Sequence, residues 1–125
     1  QTERGSIIIL VATDAPLLPH QLARRAALGV ARTGSVSGNG SGDIFLAFST
    51  ANPGAAADSV TVTVRSVAND RLNPVFAATV QATEEAIVNA LVGAETMVGA
   101  DGHRIDALPH QRLRDVLRRY GRLGE

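Results

Sequence analysis

Gly5-Ser6-Ile7-Ile8-Ile9-Leu10-Val11-Ala12-Thr13-Asp14 is the stretch whose reading decides the fold. Residues 6–13 carry no charge and are rich in Ile. An unbroken apolar run of that length predicts a strand covered on both faces. Asp14 then offers a cap, and Pro16 and Pro19 suit a helix start. Leu18, Leu22, Ala26 and Val30 recur every four residues, with Gln21, Arg24 and Arg25 on other faces, which predicts an amphipathic helix over residues 18–32.

Working outward, residues 34–42 hold four glycines and three serines, a loop of unusual backbone freedom. Residues 43–50, Asp-Ile-Phe-Leu-Ala-Phe-Ser-Thr, read as a second buried strand. After a Pro/Gly/Ala turn at 52–58, residues 59–65 alternate Val with Ser, Thr or Arg and predict a third strand with one apolar face. Asn73-Pro74 marks a helix start. That helix is expected to run to Val98, to stop at Gly99, and to lie buried between layers because Ala, Val, Ile and Leu cover more than one face. Leu108-Pro109 opens a last helix with Leu113, Val116, Leu117 and Tyr120 on one side. The order β, α, β, β, α, α, without internal repeats, predicts an α/β sandwich rather than a bundle.

Composition narrows the function. Twelve basic and twelve acidic residues cancel, which argues against a partner recruited by charge, either nucleic acid or a membrane surface. All twelve basic residues are Arg, so no lysine here can serve as base or Schiff-base former. The absence of cysteine excludes disulfides, thiolate catalysis and Cys-based zinc sites. No apolar run approaches the roughly 18 residues that span a bilayer, and Gln1-Thr2-Glu3-Arg4 does not begin a signal peptide. The expected compartment is the cytoplasm, with the periplasm as the alternative. With aromatics at 3%, the core must be built from small aliphatic side chains, and a partner surface is expected to complete it.

The chemistry points to Ser6. A serine hydroxyl needs a base to take its proton. His20, His103 and His110 fall in predicted helices or turns, and no Gly-x-Ser-x-Gly elbow is present, so a Ser-His-Asp triad is disfavoured. A serine that follows glycine at a strand head has another route. Its hydroxyl can attack the preceding carbonyl, and once the Gly5–Ser6 bond opens, Ser6 carries a free α-amine. That amine has a pKa of about 7.7–8.0, about two units below lysine, and suits proton transfer. Ser41-Gly42-Asp43 lies just before the second strand, and if the strands are neighbours their heads converge. Asp43 could then orient the amine or hydroxyl, with Ser41 relaying a hydrogen bond. Plainer readings stand beside this one: a turn that ends in serine, a turn structured by Ser41 and Asp43, or a phosphate cradle, which here lacks both Lys and a following helix.

Several segments carry a resemblance. They are Gly5-Ser-Ile-Ile-Ile, Val11-Ala-Thr-Asp-Ala-Pro-Leu-Leu-Pro-His-Gln-Leu22, Gly29-Val-Ala-Arg-Thr-Gly34, Ser41-Gly-Asp-Ile-Phe-Leu-Ala-Phe-Ser-Thr50, Asn73-Pro-Val-Phe76, Ala82-Thr-Glu-Glu-Ala-Ile87 and Asp101-Gly-His-Arg104 with Leu108-Pro-His110. In this order the chain resembles the small subunit of the L-aminopeptidase D-amidase/D-esterase and β-peptidyl aminopeptidase family. The resemblance implies a four-layer αββα sandwich shared with a larger upstream subunit, similar to N-terminal nucleophile hydrolases but differently connected. Residues 1–5 would end the upstream segment and residues 6–125 would form the small-subunit part of one domain. A precursor would cut itself between Gly5 and Ser6. Ser6 would be the nucleophile, with Ser41 and Asp43 its hydrogen-bonding neighbours; the family often carries Glu where this chain has the shorter Asp43. The implied activity is release of an N-terminal residue from a small peptide, amide or ester, with no cofactor and no metal. The implied partners are the upstream subunit and further copies of the paired unit, as a homo-oligomer, with neither nucleic acid nor membrane. Oxyanion-hole donors and the substrate-amine anchor would come mostly from upstream. An acyltransferase on the same nucleophile and a non-catalytic assembly or binding module are the alternatives.

Overall fold

A computed structural model describes residues 5–123. The expected upstream tail at 1–4 lies outside the described residues, as do 124 and 125. The chain divides into two units, Gln1–Glu85 and Ala86–Glu125.

In the first unit the apolar run forms strand β1, Ile8–Thr13, and helix α1 follows at His20–Arg32. Strand β2, Ile44–Ser49, pairs parallel with β1, from Ile8 opposite Ile44 to Thr13 opposite Ser49. Parallel neighbours require a long crossover, and α1 supplies it. The buried stripe of α1 is Leu22, Ala26, Gly29 and Val30. Pro19 rather than Asp14 occupies the cap, and Leu18 points outward.

The core of this unit gathers Leu17, Leu22 and Leu72, with Val11, Ala15, Ala47, Val67, Val75 and Phe76 packed against them. Each fully buried leucine contributes about 2 kcal/mol of apolar transfer. Helix α2, Asn73–Gly93, reaches this core through its first half, where Thr79 and Thr83 are its buried residues. Their hydroxyls donate to Val75 O and Thr79 O at 2.8 Å, so neither is buried unsatisfied. Gly29 makes the close approach possible: a Cβ there would stand 2.5 Å from Thr83 Cβ. The Arg25 guanidinium lies 3.9 Å from the Phe76 ring centroid, and Arg32 pairs with Glu84.

The second unit holds the last turns of α2, the two-residue strands β3 (Met97–Val98) and β4 (Arg104–Ile105), and helix α3, His110–Arg119. The strands pair antiparallel, and Asp101 and Gly102 adopt positive φ in the connection. His110 Nε2 lies 2.8 Å from Val92 O. On α3, Leu113 and Leu117 are half-buried while Val116 and Tyr120 are exposed.

The structure departs from expectation at several places. Within this chain only one face of β1 and β2 is covered: residues alternate between half-buried and exposed, and Ile8 and Leu10 are 68% and 63% exposed. α1 packs on one side, and Ile8, Leu10, Ala12, Ile44, Leu46 and Phe48 form an open apolar row on the other. Residues 59–65 lie outside both sheets, despite their alternation. A strand needs a partner's backbone, and here the Asn52 side chain takes that place, bonding both N–H and C=O of Arg65. α2 stops at Gly93, so Met97 and Val98 are strand rather than helix. Its later apolar residues Val88, Leu91 and Val92 are exposed within this chain.

Candidate active site at the heads of two parallel strands

Extending the register of β1 and β2 backward by two residues sets Ser6 beside Gly42 and Ile7 beside Asp43. The Ile44 amide donates to Ile7 O at 2.9 Å and continues the ladder into the loop. The strand heads thus converge, as the sequence suggested.

Ser6 is exposed, and its Oγ accepts a 2.8 Å hydrogen bond from the Gly42 N–H. As an acceptor there, the oxygen retains its own hydrogen for transfer to a base. The donor can come this near because residue 42 lacks a side chain: a Cβ would sit 3.0 Å from Ser6 Oγ. Gly5 is close to fully extended, with φ of 159°, and a Cβ there would meet nothing within 4 Å.

Asp43 is braced on both oxygens. Its Oδ1 accepts from the Ile7 N–H at 2.9 Å and its Oδ2 from the Ser37 hydroxyl at 2.8 Å. The Ser41 side chain also hydrogen-bonds the carboxylate, and with Ser37 and the Ile7 amide holds its pKa below the ordinary carboxylate value, Ser41 contributing most. Asp43 is therefore charged at neutral pH. Its backbone partner is the amide of Ile7, one residue beyond the serine, so in the unbroken chain it fixes the Ser6–Ile7 peptide.

A cavity of about 230 Å³ opens here, lined by Gly5, Ser6, Ile7, Val30, Ser35, Ser41 and Asp43. Every residue singled out for this chemistry lies on it. The three histidines do not line it; all are exposed, at the starts of α1 and α3 and in the β3–β4 connection. Among the described residues, no three His, Asp or Glu side chains gather to hold a metal ion.

Three contributors escaped the sequence reading: the Gly42 amide, and Ser35 and Ser37 in the glycine-rich loop. Backbone donors leave no residue-type signal. Ser37 lies six residues before Asp43, too far apart along a strand for the side chains to meet, and only the folded loop brings its hydroxyl to the carboxylate.

Residues 1–105 match Peptidase family S58. The beta-peptidyl aminopeptidase BapA of Sphingosinicella microcystinivorans is 54% identical over 125 residues, covering 95% of this chain and 31% of that protein. The beta-peptidyl aminopeptidase BapA of Sphingosinicella xenopeptidilytica is 44% identical over 121 residues, covering 93% of this chain and 30% of its own length. The chain thus spans about a third of the relatives it matches. Among solved structures it is similar to the L-aminopeptidase D-Ala-esterase/amidase from Ochrobactrum anthropi, described as a prototype for the serine aminopeptidases and a new variant among the Ntn hydrolase fold. That likeness has a TM-score of 0.82 at 48% identity, over 95% of this chain and 35% of the other. On the family match over residues 1–105 and these identities, the chain belongs to Peptidase family S58.

Proposed function

We propose that this chain is the nucleophile-bearing part of a self-processing serine aminopeptidase/amidase. In the first stage Ser6 Oγ adds to the Gly5 carbonyl and the Gly5–Ser6 C–N bond breaks. The proton leaving Oγ ends on the Ser6 nitrogen, and Gly5 is left as an ester on the serine. One water then hydrolyses that ester, returning the hydroxyl and freeing the Gly5 carboxylate. In the mature enzyme the Ser6 α-amine, with a pKa of about 7.7–8.0, takes the Oγ proton directly or through a water as Oγ attacks the substrate carbonyl. It returns that proton to the leaving amine, and water clears the acyl-enzyme.

The observation that carries the reading is the Gly42 N–H on Ser6 Oγ at the edge of an open cavity. A donor on the oxygen favours its developing negative charge, and the sheet fixes the backbone behind it. Asp43, charged and bonded to the next amide, holds the segment in register. Substrates are small peptides, amides or esters with a free amino end. The names of the Sphingosinicella relatives make β-amino N-terminal residues the first to try.

The open row of Ile8, Leu10, Ala12, Ile44, Leu46 and Phe48 supports a second sheet packed on the first, within a four-layer αββα sandwich completed by a larger upstream subunit. The paired unit is expected to assemble further as a homo-oligomer. The test is the intact mass of the full-length protein after expression. A product that begins at Ser6 is expected, and Ser6→Ala leaves the precursor whole. Normal processing of Ser6→Ala would overturn the assignment.

A further inference from the structure

We infer that Ser37 is a positioning residue of this site: its hydroxyl braces the Asp43 carboxylate against the Ile7 amide and so fixes the backbone beside the reacting serine. The inference rests on the reading of Ser6 given above. Ser37 has φ of +46°, in the left-handed region that disfavours any residue with a Cβ. Glycine adopts that torsion freely, and the same loop uses glycine at 34, 38, 40 and 42. A serine at the strained position therefore needs a reason, and strained torsions cluster where a side chain is held for function.

The reason is geometric. The Ser37 N–H donates to Ser35 Oγ at 3.1 Å, which fixes the loop, and the Ser37 hydroxyl reaches Asp43 Oδ2 at 2.8 Å. The opposite oxygen, Oδ1, holds the Ile7 N–H. A carboxylate gripped on one oxygen can rotate about its Cβ–Cγ bond; gripped on both it cannot. Ser41 also bonds Asp43, but stands two residues away on the same strand lead-in, whereas Ser37 ties the carboxylate to a more distant part of the loop. Among the side chains lining this cavity, Asp43 is the one ionisable group, and the Ser6 amine joins it once the chain is cut. Ser37 does not itself line the cavity, and it bonds the Asp43 that does, so its effect passes through Asp43.

The test compares Ser37→Gly and Ser37→Asn in the full-length precursor. Glycine relieves the torsion but deletes the donor; Asn tolerates the left-handed region and carries an N–H donor. Ser37→Gly is expected to melt close to the parent, because relief of the left-handed torsion offsets the lost bond, and yet to process about tenfold more slowly, the scale of losing one hydrogen bond to a charged acceptor. Ser37→Asn is expected to process faster than Ser37→Gly. The Asp43 carboxyl, followed by NMR titration in a Ser6→Ala background that stays uncut, is expected to titrate at higher pH once Ser37 is Gly. Processing of Ser37→Gly at the parent rate, or an unmoved Asp43 titration, overturns the role of Ser37. Cleavage in Ser6→Ala overturns the nucleophile reading instead, while the Asp43 titration still judges Ser37.

Discussion

Gly42→Ala isolates the contact on which the proposed chemistry turns. The φ of Gly42 is not positive, so alanine fits the backbone and the new methyl is the main change. Its Cβ would stand 3.0 Å from Ser6 Oγ and 3.7 Å from Ser6 Cβ, the nearer contact a few tenths of an ångström too close. The hydroxyl has to give way, which strains or breaks its 2.8 Å bond from the Gly42 N–H. A neutral hydrogen bond is worth about 1 kcal/mol, and an off-rotamer serine costs about 1 kcal/mol more. Together, about 2 kcal/mol on the attacking oxygen slows self-cleavage by about 30-fold. Both residues are exposed, so the melting temperature should move little. The assay is a time course of precursor and products by intact mass, beside a thermal melt. Processing at the parent rate would refute the claim that the Gly42 amide holds the nucleophile.

Other consequences follow from the packing and the charge. Gly29→Ala should lower stability by about 2 kcal/mol through overpacking, although the same change in an open helix stabilises by about 1 kcal/mol; a Cβ would lie 2.5 Å from Thr83 Cβ and 2.8 Å from Val80 O, and denaturant unfolding gives the sign. Leu10→Asp should cost the full-length protein at least about 2 kcal/mol, the transfer value of a buried leucine, and should weaken co-purification of the two cleavage products, because Leu10 lies in the row proposed to meet the second sheet. The folded pKa of Asp43 is depressed below an unfolded value of about 3.9, so its stabilising contribution is present above about pH 4 and is lost as pH falls through the lower folded value. A carboxyl NMR titration should find that midpoint below the ordinary Asp range; a midpoint above it would show the hydrogen bonds absent.

Much of the site was legible in the sequence because it sits on strong local signals. The run from Ile7 to Thr13 allows little but a strand, and the run from Ile44 to Phe48 repeats it, so the residues ahead of each were marked as strand heads. Whether the two heads met depended on pairing, which the sequence left conditional and the Ile8–Ile44 register supplies. The failures share a cause: local pattern does not report partners. Val60, Val62 and Val64 alternate as a strand should, yet stand unpaired and exposed. The continuous run of β1 calls for cover on both faces, and this chain supplies it on one, with α1. Met97–Val98 falls inside the helix that the sequence predicts, because a two-residue strand carries too few residues to show a period. The α1–α2 approach turned on Gly29 and two threonines, where apolar residues were expected, because closeness there outweighed side-chain hydrophobicity.

One measurement bears most directly on the Ser6 amine as base. Freshly expressed full-length protein is sampled over time, and in each sample the fraction of chains with a free amino terminus at Ser6 is set beside the rate of hydrolysis of an amino-acid amide. The account predicts that the rate starts near zero and rises in proportion to the free Ser6 terminus. Full activity in protein whose Gly5–Ser6 bond is still intact would contradict it.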